Sequence, residues 1–177
     1  TWHALLMGSG VFPWFVFGFI LTAGPRWQGA GDLRQPEFLP PFLFLAVGWS
    51  LVWLALLLPV LLGFGLVLVA IGWALVARIL TRIASLPALG REHIRYVALA
   101  AWLGVAALGC YLLLAINGDP AWGRLGTTLT IWGFLLPVFA TVAHRMLPFF
   151  TSAVIRGYVV HRPVWALRVL LAAGLGH

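Results

Sequence analysis

Apolar residues run along this chain in blocks of span length, with polar and charged positions confined to short breaks between them. Thr1 to Pro25 holds no Asp, Glu, Lys or Arg, and neither does Phe38 to Ala77, a run of forty residues. Crossing the hydrocarbon core of a bilayer takes about 20 apolar residues, so the longer run is two spans back to back. Backbone groups in lipid must satisfy one another, which makes the spans helices. The chain is therefore expected to be an all-α, polytopic transmembrane helix bundle and a single transmembrane domain.

The pattern predicts span one over Trp2 to Ala23, kinked at Pro13 and ended by Gly24-Pro25. A polar loop follows from Arg26 to Pro40. Span two covers Phe42 to Leu58, Pro59 and Gly63 punctuate a tight turn, and span three covers Leu62 to Leu80. Thr81 to Glu92 is expected as loop and Ile94 to Ile116 as span four. Asn117-Gly118-Asp119-Pro120 is a turn signal before span five, Leu125 to Ala143. In Met146 to Arg162, Pro148 is expected to break the helix. Thr151 is expected to cap a following interfacial helix or a plain connection. A sixth span from Pro163 or Val164 to His177 has about 14 residues, roughly 21 Å, which is short of a bilayer core. The chain opens and stops inside apolar runs, so it is expected to be part of a longer chain, with about five full spans and a partial sixth.

Composition narrows the function. Of 177 residues, 63% are hydrophobic and only 8% are charged, which excludes a soluble globular domain or a disordered tail. The net charge of +7 does not indicate nucleic-acid binding, because the basic residues are spread over inter-span loops. All eleven are Arg, whose fork suits lipid phosphates or propionate-type carboxylates. The odd-numbered connections carry ten of them and the even-numbered ones carry only Arg124. That split places the arginine-rich loops on the cytoplasmic side of a bacterial inner membrane and Thr1 on the outer side. Trp2, Trp27, Trp122 and Trp165 fall near span ends, as interfacial aromatics do. The lone Cys110 excludes a disulfide framework and a multi-cysteine metal cluster within the chain.

The histidines are the informative positions. Asp32, Glu37, Glu92 and Asp119 all fall in predicted loops, which argues against a transporter built on intramembrane carboxylates. His3 and Met7 share a helical face near the outer end of span one. Imidazole with thioether suits copper or haem iron; the alternative is an interfacial His beside a core Met. His93 and His144 fall at the inner ends of spans four and five, on different helices. That would let them approach one haem iron from opposite faces; the alternative is two interfacial histidines in a basic region. Arg91, Arg95 and Arg145 cluster with them and suit haem propionates or, equally, lipid phosphates. His161 is expected in a loop. His177 approaches the outer half if span six continues. A span covers about 30 Å, so His3 and His144 cannot ligate one metal. No nucleophile–base pair and no phosphate loop is visible, so nothing marks the chain as an enzyme. Gly63 and Gly65 read as helix-packing residues.

Two segments carry a resemblance. One runs Trp2-His3-Ala4-Leu5-Leu6-Met7 and continues from Gly18-Phe19 through Thr22-Ala23-Gly24-Pro25-Arg26-Trp27-Gln28-Gly29. The other is Arg145-Met146-Leu147-Pro148-Phe149-Phe150-Thr151. In this order they resemble the opening and the Arg-x-Ile-Pro-Phe-Phe-Thr motif of the NnrS family. Its members are bacterial inner-membrane proteins containing haem and copper and linked to the nitric oxide response. The resemblance covers the front part of a family member. It implies a haem- or copper-binding membrane protein in nitric oxide response or respiratory metabolism. Leu5 and Leu6 replace a second His and a Glu of the family's opening, Tyr96 stands where the family has Asn, and His144 replaces a Gly, while His3 and Met7 are retained. The alternative is a diverged member that keeps the scaffold as a structural subunit of a larger membrane complex and has lost its metal sites. A channel ranks last, because the polar residues in the spans are few and scattered.

Overall fold

A computed structural model describes residues 2–87, 92–155, 157–159 and 162–175. Among them there is no strand, and the helices account for every predicted span. α1 covers Trp2–Trp27, α2 Gln35–Leu54, α3 Leu61–Ala84, α4 Glu92–Asn117 and α5 Pro120–Val154. These five are long and apolar enough to cross a membrane. α6, Val164–Leu175, is shorter, as expected of the partial sixth span.

From α2 onward consecutive helices pack against each other, most extensively α4 on α5 and α2 on α3. The core lies along α3 and α4. Val69, Trp73, Val76, Ala77 and Leu80 of α3 and Ile94, Val97, Ala101 and Leu108 of α4 are almost fully buried. Phe17 and Ile20 of α1 and Phe134 and Val138 of α5 close over them. Large apolar side chains such as Phe15, Leu57 and Phe139 point outward. With lipid as the solvent that face needs no polar cover, and small residues at helix contacts do the work of close packing. Gly65 meets Val52 and the backbone of Gly48 in this way, whereas Gly63 faces open space.

Helix ends differ from the sequence expectation where proline is involved. α2 begins at Gln35 rather than Phe42, and Pro36, Pro40 and Pro41 lie within it. Pro36 stands in the first turn, where the missing N–H costs nothing because that donor has no partner in the helix, whereas Pro40 and Pro41 lie beyond it. α3 runs on to Ala84. α5 does not stop at Pro148; it continues to Val154. Pro148 removes one backbone bond without ending the helix. Thr151 therefore caps no following helix, and its hydroxyl donates to the Leu147 carbonyl at 2.9 Å. The turn before α5 forms as predicted. Gly118 has φ +71°, and the Asp119 carboxylate accepts from the Ala121 N–H at 2.8 Å.

Two stretches are π-helical, Leu5–Val11 in α1 and Leu129–Leu135 in α5. They meet: the Ser9 and Thr130 hydroxyls are 3.4 Å apart and both residues are buried. A π turn adds a residue per turn without breaking the helix, so the apolar pattern gives no sign of it.

Candidate functional site

The arginine-rich end of the bundle gathers the polar groups that matter. At about 1.5 Å per residue, His144 lies about 36 Å along α5, beyond a core of about 30 Å. His93 is the second residue of α4, whose chain runs the other way. Antiparallel packing brings both to one end, as the sequence predicted.

There the rings touch directly. His93 Nε2 lies 3.0 Å from His144 Nδ1, with ring centroids 5.3 Å apart and a 31° tilt. His93 is buried and His144 half-buried. His144 Nε2 lies 3.2 Å from the Pro163 carbonyl oxygen. A carbonyl only accepts, so Nε2 carries the hydrogen and the Nδ1 of neutral His144 is the acceptor. His93 Nε2–H then donates to it. The result is a directed relay from α4 through α5 to the residue that precedes α6.

Arg145 stands beside this relay. Its guanidinium sits 5.0 Å from the centroid of the Trp27 ring and donates to the Trp27 carbonyl at 3.4 Å. α1, α4, α5 and the entry to α6 thus converge here. Arg95 is exposed. Arg91, His161, His177 and Thr1 lie outside the described residues. Sequence reasoning missed Pro163, Arg162 and Gln28 as participants and took Trp27 for an interfacial anchor.

His3 lies at the opposite end of α1 and is exposed, while Met7 is half-buried inside the π turn. The predicted separation of His3 from His144 therefore holds. Among the described residues no group of three or more His, Cys, Asp or Glu side chains comes together.

The spacing decides which metal group fits the inner pair. Two axial bonds to one haem iron span about 4 Å, with the macrocycle between the rings. At 3.0 Å and in direct contact, the two imidazoles leave no room for it. A single ion bound side by side fits: two bonds of about 2.0–2.1 Å at an angle of 90–110° put the nitrogens roughly 3 Å apart.

The charged residues around the site are mostly paired. Asp32 accepts two bonds from Arg26, at 2.9 and 3.1 Å. This pair holds the Asp32 carboxyl below its ordinary range, through the hydrogen bond first and the Arg26 charge second. Glu37 accepts from the Arg34 N–H at 2.8 Å and pairs with Arg82. Glu92 lies 3.8 Å from Arg168.

The family model described as "NnrS protein" matches residues 1–177, the whole chain. No curated protein and no solved structure matches it.

Proposed function

The chain belongs to the NnrS family, and on that premise we propose that it is a membrane-embedded metal protein whose His93–His144 pair binds one copper ion. The supporting observation is the His144 hydrogen bond to the Pro163 carbonyl. A metal-ligating histidine characteristically donates its second ring N–H to a backbone carbonyl or carboxylate, which fixes the tautomer and raises ligand basicity. Here that bond frees the Nδ1 lone pair toward His93. His93 Nε2 joins as a ligand once its hydrogen moves to Nδ1 of the same ring. Imidazole suits copper, and bound copper would supply a centre for small diatomic ligands and one-electron change. His93 and His144 hold the ion, and Pro163 orients His144. The arginine-rich end then faces the cytoplasm of a bacterial inner membrane, and the role lies in nitric oxide response or respiratory metabolism. Haem shared between this pair is not part of the proposal.

Copper titration of the metal-free protein in detergent tests this. One equivalent is expected to bind, with loss of binding in His93→Gln and His144→Gln and retention in His3→Gln. Stoichiometric copper in both inner variants would overturn it.

A second reading is a non-catalytic subunit of a larger membrane complex. It is favoured by an apolar groove of about 490 Å³ between α1 and α5, lined by Phe12, Phe19, Ile131, Leu135 and Phe139. A copper-free protein that co-purifies with a stoichiometric membrane partner would support it.

A further inference from the structure

Charge at the arginine-rich end does not balance within the chain. All four acids are committed: Asp32 to Arg26, Glu37 to Arg82, Glu92 toward Arg168, and Asp119 to the start of α5. Among the described arginines all are exposed except Arg145 and Arg162, which are half-buried. Neither of these two has a carboxylate partner among the described residues. The fold also brings them together. His144 is hydrogen-bonded to Pro163, and each arginine is the chain neighbour of one of those residues. The two positive charges repel. Two half-buried like charges with no counter-charge among the described residues carry the cost of partial desolvation and mutual repulsion, so an anion from outside the chain would stabilise this pair.

Unused donors point the same way. Among the described residues the buried Arg162 Nε–H and the Gln28 Nε2–H₂ are donors with no hydrogen-bond partner, and Gln28 is only 8% exposed. Gln28 follows Trp27, whose carbonyl takes the Arg145 bond, so it sits at the same junction. Orphaned buried donors are rare in folded proteins, and an oxyanion at this junction would satisfy these two.

We propose that Arg145, Arg162 and Gln28 form a binding site for a phosphate-type oxyanion at the arginine-rich end of the bundle. Two guanidinium forks and one amide N–H₂ offer more donors than the two oxygens of a carboxylate can use. A phosphate group presents more oxygens and more charge. The source is a lipid headgroup or free phosphate, since the junction lies where α5 leaves the membrane core. This site does not depend on metal at the histidine pair, and its failure would leave the copper reading untouched.

Thermal unfolding of the full chain tests the proposal in two arms. In detergent, inorganic phosphate is titrated against chloride at equal ionic strength. In nanodiscs, phosphatidylcholine is compared with and without phosphatidylglycerol. A saturable rise in Tm is expected in at least one arm. A rise with inorganic phosphate identifies free phosphate; a rise with phosphatidylglycerol alone identifies the headgroup. Arg145→Gln and Arg162→Gln are expected to abolish the rise, and exposed Arg78→Gln to retain it. Should the glutamine variants not fold, Arg162→Lys keeps the charge but loses the fork. Its saturation midpoint is expected to weaken about tenfold, the loss of one charge-assisted bond. No rise in either arm, or an undiminished rise in the Arg145 and Arg162 variants, would overturn the site.

Discussion

Gly104 of α4 lies so close to the Trp73 ring of α3 that a Cβ on it would come within 2.0 Å of Cζ3 and 2.7 Å of Cε3. The indole cannot move aside. Trp73 is fully buried between Phe17, at 4.8 Å, and Phe134, at 4.5 Å. Gly104→Ala is therefore expected to destabilise the bundle by about 1–3 kcal/mol, the usual cost of overpacking. Trp73→Phe in the same chain should restore part of the loss by freeing volume. Thermal unfolding in detergent reads both effects, and a Gly104→Ala protein as stable as wild type would contradict the geometry.

Backbone meets backbone where α2 crosses α3. A Cβ on Gly65 would lie 2.9 Å from the Gly48 carbonyl oxygen and 2.9 Å from the Val52 nitrogen. Main-chain atoms cannot rotate away, so Gly65→Val must push the helices apart. Gly63 has nothing within 4 Å, which makes it a control on the same helix. Gly65→Val is expected to lower Tm. Gly63→Ala should raise stability by about 0.5–1 kcal/mol through helix propensity alone. If the two substitutions behave alike, the close crossing is wrong.

The span count, the order of helices and the gathering of His93 with His144 were all legible in the sequence. They depend on hydrophobic block length and on the alternation of chain direction, which local composition encodes. Proline positions misled because Pro36 falls in the first turn, where its missing N–H is not needed, and because Pro40 and Pro148 each remove one bond without ending the helix. The π turns at Leu5–Val11 and Leu129–Leu135 left no trace in an apolar pattern. The site was half legible. Histidine identity gave the pair, but the Pro163 carbonyl that orients it is a backbone group any residue could supply. Gln28 and Arg162 became visible only when the four acids were found committed elsewhere.

Low pH should weaken the link between the end of α1 and the loop before α2. The Asp32 carboxyl titrates below its ordinary value because Arg26 binds its charged form. A depressed folded pKa stabilises above the unfolded value, about 3.9. The contribution is lost as pH falls from there through the folded pKa. The pair is fully exposed and the effect correspondingly small. The difference in Tm between wild type and Asp32→Asn should be constant from neutral pH to about pH 5 and shrink toward zero below about pH 4. A difference that grows on acidification would reverse the sign and refute the pairing.

The relay from His93 through His144 to Pro163 should make the two histidines energetically coupled even without metal. Removing one ring strips a hydrogen bond from a buried neighbour, at about 1–3 kcal/mol. Removing both strips the bond only once. A double-mutant cycle of His93→Phe and His144→Phe is thus expected to show a coupling of about 0.5–3 kcal/mol, the range for residues in direct contact. The measurement belongs in metal-free protein, by thermal or denaturant unfolding in detergent. Copper should then stabilise wild type and leave both single variants unmoved, because each retains one of two ligands. Additive losses in the metal-free cycle would mean that the rings do not meet, and the 3.0 Å contact on which the side-by-side ion depends would fall with them.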